Sequence, residues 1–130
     1  MNLRQLGVAA LVAVASLSCD GGGPKNGELL VNLVTPNGGD AAILIRVDGS
    51  GSKTVTGATA VCPGCRVFAI STSDTRLDAV VTGDLTSGPL VRLAVSDVGS
   101  VGSYSLTVTQ VASGDHRLRG LVGYKLEFGR

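Results

Sequence analysis

From Glu28 onward the chain alternates apolar and polar residues with a period of two, and this limits what it can fold into more than any other feature. Leu29, Val31 and Leu33 alternate with Glu28 and Asn32, and Ile43, Ile45 and Val47 alternate with Arg46 and Asp48. Val91, Leu93 and Val95 alternate with Arg92 and Ser96, and Tyr104, Leu106 and Val108 alternate with Ser105, Thr107 and Thr109. Near the end, Leu118, Val122, Tyr124, Leu126 and Phe128 share one parity, opposite Arg117, Arg119, Lys125 and Glu127. Successive side chains of a strand point to opposite faces, so each run predicts a strand with one wet and one dry face. The abundance of Val, Thr and Ile agrees, because β-branched residues suit a pleated, half-buried surface. Gly120 and Gly123 fall inside the last run and predict a bulge or kink there.

Turn chemistry separates the runs. TPNGGD (35–40), DGSGS (48–52), CPGC (62–65), TSD (72–74), TSGP (86–89), DVGSVG (97–102) and SGD (113–115) recur at intervals of about a dozen residues. Eight candidate strands result, with no helical stripe after the first 18 residues. The expected fold class is therefore all-β, an antiparallel two-sheet sandwich over residues 28–130, long enough for one hydrophobic core. The stretch GPLVRLAVSDVGSVGSYSLTVTQVASGD (88–115) runs strand, short loop, strand, turn. It resembles the corresponding part of cohesin-type and related immunoglobulin-like sandwiches of bacterial surface proteins. The resemblance implies the sandwich fold alone, since no dockerin-recognition residue of cohesins has a counterpart here.

The first residues, MNLRQLGVAALVAVASLSCDGGG, have a different character. Arg4 gives a positive start, Leu6 to Ala15 an apolar run, and small residues lead into Cys19. The apolar run is shorter than the ~20 residues a spanning helix needs, and the layout is that of an export signal. A cysteine directly after such a run resembles the lipobox of bacterial lipoproteins. That resemblance implies removal of residues 1–18, lipidation of Cys19 as the new N-terminus and attachment to a membrane of the cell envelope. Residues 19–27 then read as a flexible Gly-rich tether, spanning ~15–17 Å on average over about eight residues.

With Arg4 removed, ten basic and ten acidic residues remain, interspersed along the chain. No basic cluster is present to neutralise a phosphate backbone, so a nucleic-acid partner is not expected. The cysteine count fits the same picture. Three cysteines in an exported chain are odd, but a lipidated Cys19 leaves Cys62 and Cys65 as a pair, expected to be a disulfide in an oxidising compartment.

CPGC itself admits three readings. Pro63 and Gly64 suit the central positions of a type II turn, whose ends approach within ~7 Å at Cα, overlapping the ~4.4–6.8 Å of a disulfide. A staple of that kind contributes about 2 kcal/mol on the chain-entropy account. The pair also resembles the Cys-x-x-Cys of thioredoxin-like enzymes, where a following helix lowers the first thiol's pKa. Here RVFAISTS follows and reads as strand. A metal site needs three or four ligands, and only the distant His116 could join the two cysteines. The structural staple is the favoured reading.

Other candidates carry less. GSGSKT (49–54) has the flavour of a phosphate loop, but Ser52 precedes Lys53 where that motif places Gly. Ser50 and Lys53 fit Ser-x-x-Lys, which works only on a helical turn, and two glycines, Gly49 and Gly51, oppose one. His116 has no second acid or base at a useful spacing. Asp48, Asp74, Asp78 and Asp84 lack the dense spacing of a calcium loop and read as solvated turn acids. Trp is absent, and of the four aromatics Tyr104, Tyr124 and Phe128 take core parity. Phe68, in phase with Ile70, is the one candidate for an exposed ring. No catalytic constellation, metal set or cofactor motif emerges. The expectation is a non-enzymatic structural or protein-interaction module; a thiol–disulfide protein using Cys62 and Cys65, or a calcium- or carbohydrate-binding module, are the alternatives.

Overall fold

The alternating runs become strands because only paired extended segments bury one side of each run while satisfying the backbone. A computed structural model describes residues 23–129; Cys19 and residues 1–18 lie outside them. The strands are β1 (Gly27–Val34), β2 (Asp40–Gly49), β3 (Val55–Ala60), β4 (Arg66–Ser73), β5 (Arg76–Leu85), β6 (Gly88–Val95), β7 (Tyr104–Ser113) and β8 (Lys125–Phe128). A single 3-10 turn, Val101–Ser103, precedes β7. Two four-stranded antiparallel sheets form, ordered β3-β6-β1-β8 and β4-β5-β2-β7. The expected all-β sandwich is what the chain adopts.

Only the β4–β5 hairpin joins neighbours within one sheet; every other connection crosses between sheets. β2, β5 and β4 stand as strands B, E and D do in an immunoglobulin sandwich, and β3 and β6 as C and F. The first and seventh strands sit in the opposite sheets from that pattern.

The core lies between the sheets, where the predicted dry faces meet. Leu29 pairs with Leu93 and Val31 with Val91 in one sheet. Ile43 pairs with Val81, Ile45 with Ala79 and Val47 with Leu77 in the other. All ten side chains are buried, and Val31, Ile45, Val47, Val81, Val91 and Leu93 have no exposed surface. Tyr104 and Tyr124 join this core, and Phe128 packs against it half-buried.

Three details differ from the sequence reading. The last strand is only Lys125–Phe128, pairing with β1 from Val34 to Val31. Leu118 and Val122, expected on its dry face, are exposed, Val122 by 94%. The segment before β8 instead folds back over the edge of β7. Arg119 N–H donates to the Val111 carbonyl (2.8 Å), and Leu118 bridges to Ala112. Gly123, at φ +90, belongs to the turn into β8 and not to a bulge within it. The tether, expected to be free through residue 27, is tied from Lys25 on: the Lys25 carbonyl accepts from Val98 N–H at 2.9 Å.

Burial separates two substitutions sharply. Ile45→Ala, in the centre of the core, is expected to cost about 2–5 kcal/mol of unfolding free energy. Phe68→Ala, at a ring that is 64% exposed, is expected to cost no more than about 0.5 kcal/mol. Denaturant titration of the two variants in dilute solution checks the ranking; equal losses would contradict the placement of either side chain.

Candidate functional site

The CPGC turn lies where the chain passes from β3 in one sheet to β4 in the other. Cys62 and Cys65 are joined by a disulfide, with Cα atoms 5.4 Å apart. Cys65 N–H donates to the Cys62 carbonyl (3.1 Å), and Gly64 takes φ +73, which closes the Pro-Gly turn. Both cysteines are half-buried against the core. Room for them comes from Gly83 of β5, at φ +147, where a Cβ would lie 3.0 Å from the Cys65 sulfur. The residues after Cys65 form β4, so no helix N-terminus faces either sulfur to stabilise a thiolate.

The strand directions gather the polar residues at the two ends of the sandwich. At the end carrying the β1–β2 and β7–β8 connections, Asp40 is 1% exposed. It accepts hydrogen bonds from the Tyr124 hydroxyl (2.9 Å) and Thr35 Oγ1 (2.6 Å). Arg119 Nε lies 2.6 Å from Asp40 Oδ1, although its N–H is not aimed along that line. Arg119 also donates to the Gly38 carbonyl (2.9 Å), and Asn37 to the Tyr124 hydroxyl (3.0 Å). Burying a carboxylate is costly unless it is paired and hydrogen-bonded, and this set supplies both. The cluster fastens the segment before β8 to the β1–β2 loop.

At the opposite end, Asp97 is held by Lys53 Nζ (2.8 Å), Ser100 Oγ (2.7 Å) and the backbone N–H groups of Gly99 (3.1 Å) and Lys25 (3.4 Å). Its own N–H donates to the Tyr104 hydroxyl (3.1 Å). The Lys53 hydrogen bond, then that of Ser100, hold the Asp97 carboxyl far below the usual carboxylate range. Lys53, suggestive beside Ser50 in the sequence, is committed to this ion pair, and its N–H bonds the Ser50 carbonyl (3.2 Å). His116 sits exposed at φ +65 in the tight turn between Ser113 and Arg117. Asp48 and Asp78 each pair with an arginine, Arg76 at 2.6 Å and Arg46 at 2.9 Å. Asp74 and Asp84 are exposed turn and strand residues apart from these pairs.

Those two ion pairs occupy one half of the outer face of the β4-β5-β2-β7 sheet. The other half is apolar. Phe68 lies opposite Val80, and Val80 opposite Leu44; a shallow depression beside them is bounded by Ala42, Leu44, Val80, Ala112 and Leu118, with Gln110 its polar member. Phe68, Ile70 and Leu118 are 64%, 67% and 73% exposed. β4 is an edge strand, and every residue from Phe68 to Ser73 is exposed. Sequence reasoning singled out Phe68 with Ile70, but the join to Leu118 depends on the fold-back that the sequence did not reveal. Comparison with known protein families, with curated proteins and with solved structures finds no match.

The Asp97 cluster makes acid stability testable. A carboxyl whose folded-state pKa is depressed stabilises above its unfolded value, about 3.9, and that contribution is lost as pH falls through the folded value. Wild type is therefore expected to exceed Asp97→Asn in thermal midpoint by a constant margin from pH 7 to about 4, shrinking below that. A margin unchanged down to pH 2 would show that the carboxylate is not what Lys53 and Ser100 stabilise.

Proposed function

We propose that this chain is an exported, lipid-anchored protein of the cell envelope whose sandwich serves as a non-enzymatic protein-interaction module. The observation that carries the interaction reading is the exposure of Phe68 and Ile70 on an edge strand, with Phe68 continuous through Val80 and Leu44 with a largely apolar band on the same sheet face and Ile70 beside it, opposite Asp78. Contiguous exposed apolar surface on a small domain marks interaction sites, and edge strands offer backbone groups to a further strand. The polar clusters at the two ends, by contrast, are absorbed in fastening loops. The signal-like residues 1–18 and the placement of Cys19 support the anchored reading, and the anchor makes the membrane the first partner. A disulfide that packs on the core and leads into a strand supports a structural role for Cys62 and Cys65.

A benzophenone amino acid placed at Phe68 of the full chain is expected to give a discrete protein adduct on irradiation of native membranes. The same probe at Arg92, exposed on the outer face of the other sheet, is expected to give none. No adduct at position 68, or equal yields at both, would overturn the interaction reading. Peptide mass spectrometry of protein from those membranes, alkylated without reduction, is expected to find acyl chains on Cys19; an unmodified Cys19 or an intact segment 1–18 would overturn the anchor.

A further inference from the structure

Three of the four sheet edges are shortened, bulged or covered by the chain itself. β8 is four residues long and carries Lys125 and Glu127. β3 has an irregularity between Val55 and Gly57. β7 has one opposite Leu44 and Ile45, and its last residues are covered by the fold-back at Leu118 and Arg119. β4 has an irregularity only near its end, between Ser71 and Ser73, and is neither short nor covered before it. It runs in regular register against β5 from Arg66 to Ser71, with no charge or proline between Arg66 and Asp74. Outside that ladder, no backbone group of residues 66–73 has a backbone partner among the described residues. Natural proteins protect such edges unless they are used.

Charge selects the occupant. Arg66 and Asp74 stand at opposite ends of the strand, both exposed, and neither joins an ion pair among the described residues. A strand with a cation at one end and an anion at the other is complementary to itself run in reverse. We propose that β4 docks antiparallel against β4 of a second copy of this chain, joining the two sheets edge to edge. This rests on the interaction reading above and names its partner.

The faces of β4 fix the register. Residues directly opposite in an antiparallel pair share a face, so outward Phe68 and Ile70 must meet outward residues. A two-fold axis at Ala69 sets Phe68 opposite Ile70 of the second copy, twice over, and closes four apolar side chains into one cluster. It brings Arg66 beside Thr72 of the second copy, next to the hairpin turn that carries Asp74, so the cation of each chain lies toward the anion of the other. The irregularity in β4 between Ser71 and Ser73 lies outside the Phe68–Ile70 contact. Both copies use the same edge, so the interface is isologous and closed. For two anchored chains a two-fold along the membrane normal lays the sheets parallel to the surface and lets both tethers reach one leaflet.

Ala69 on the axis places its two Cα atoms about 4.5–5.5 Å apart, within the ~4.4–6.8 Å range of a disulfide. Ala69→Cys in the full chain, in native membranes, is expected to give a non-reduced species of twice the chain mass, absent from wild type and from Arg92→Cys. In the Ala69→Cys background, Arg66→Asp and Asp74→Arg are each expected to lower the cross-linked fraction roughly fivefold, through like charges facing across the strands. The double exchange is expected to restore it. Because both sites are exposed, the substitutions are not expected to unfold the domain. A single-chain mass for Ala69→Cys, or a double exchange that fails to restore the cross-link, would overturn self-pairing. A benzophenone adduct at position 68 with a protein of another mass would overturn self-pairing while leaving the interaction reading in place. No adduct at all would overturn both.

Discussion

Burial of Val31, Ile45, Val47, Val81, Val91 and Leu93 between two sheets is the constraint on which the rest of this structure depends. Each of these residues sits on a strand whose alternate positions are wet, so the sheets can meet only through one face each. Consecutive strands, except β4 and β5, lie in opposite sheets, so the core forms only when segments far apart in sequence come together. Folding dominated by such non-local pairing is slow, and partly assembled sheets expose edges while it proceeds. In the folded chain the Cys62–Cys65 disulfide closes one of these connections, at the β3–β4 crossing.

The two polar clusters follow from the same layout. Loops at each end must cross from sheet to sheet, and each end fixes its loops with one shielded aspartate. Asp40 gathers Thr35, Tyr124 and Arg119, while Asp97 gathers Lys53, Ser100 and the start of the domain at Lys25. Each carboxylate combines a local donor, Thr35 or Ser100, with partners distant in sequence, so it ties its end without presenting a reactive group to solvent. What remains for recognition is the outer sheet surface and the edge of β4.

Where one parity is clearly apolar, as in β1, β2 and β6, the sequence reveals the buried face, because period-two burial leaves a direct trace. It fails at residues 118–124, where Leu118, Leu121 and Val122 look like strand but are turned outward. Their placement is decided by Arg119 reaching Asp40 and the backbone of Val111, contacts no local pattern encodes. β4 is ambiguous for another reason: Val67, Phe68, Ala69 and Ile70 are apolar in succession, so no parity stands out, and exposure follows from its place at the edge. Of the candidate site, the turn geometry of Cys62 and Cys65 and the phase of Phe68 with Ile70 are legible in advance. The pairings of Asp40 with Tyr124 and of Lys53 with Asp97, separated by 84 and 44 residues, are not.

Residue-resolved amide hydrogen exchange on dilute protein tests most directly whether β4 is an open edge on an otherwise closed sandwich. Alternate amides of residues 66–71 are expected to exchange freely, while those of β2 and β5 stay protected to near the global unfolding limit. Uniform protection along β4 at dilution would contradict the account, because it would mean that the chain covers this edge itself.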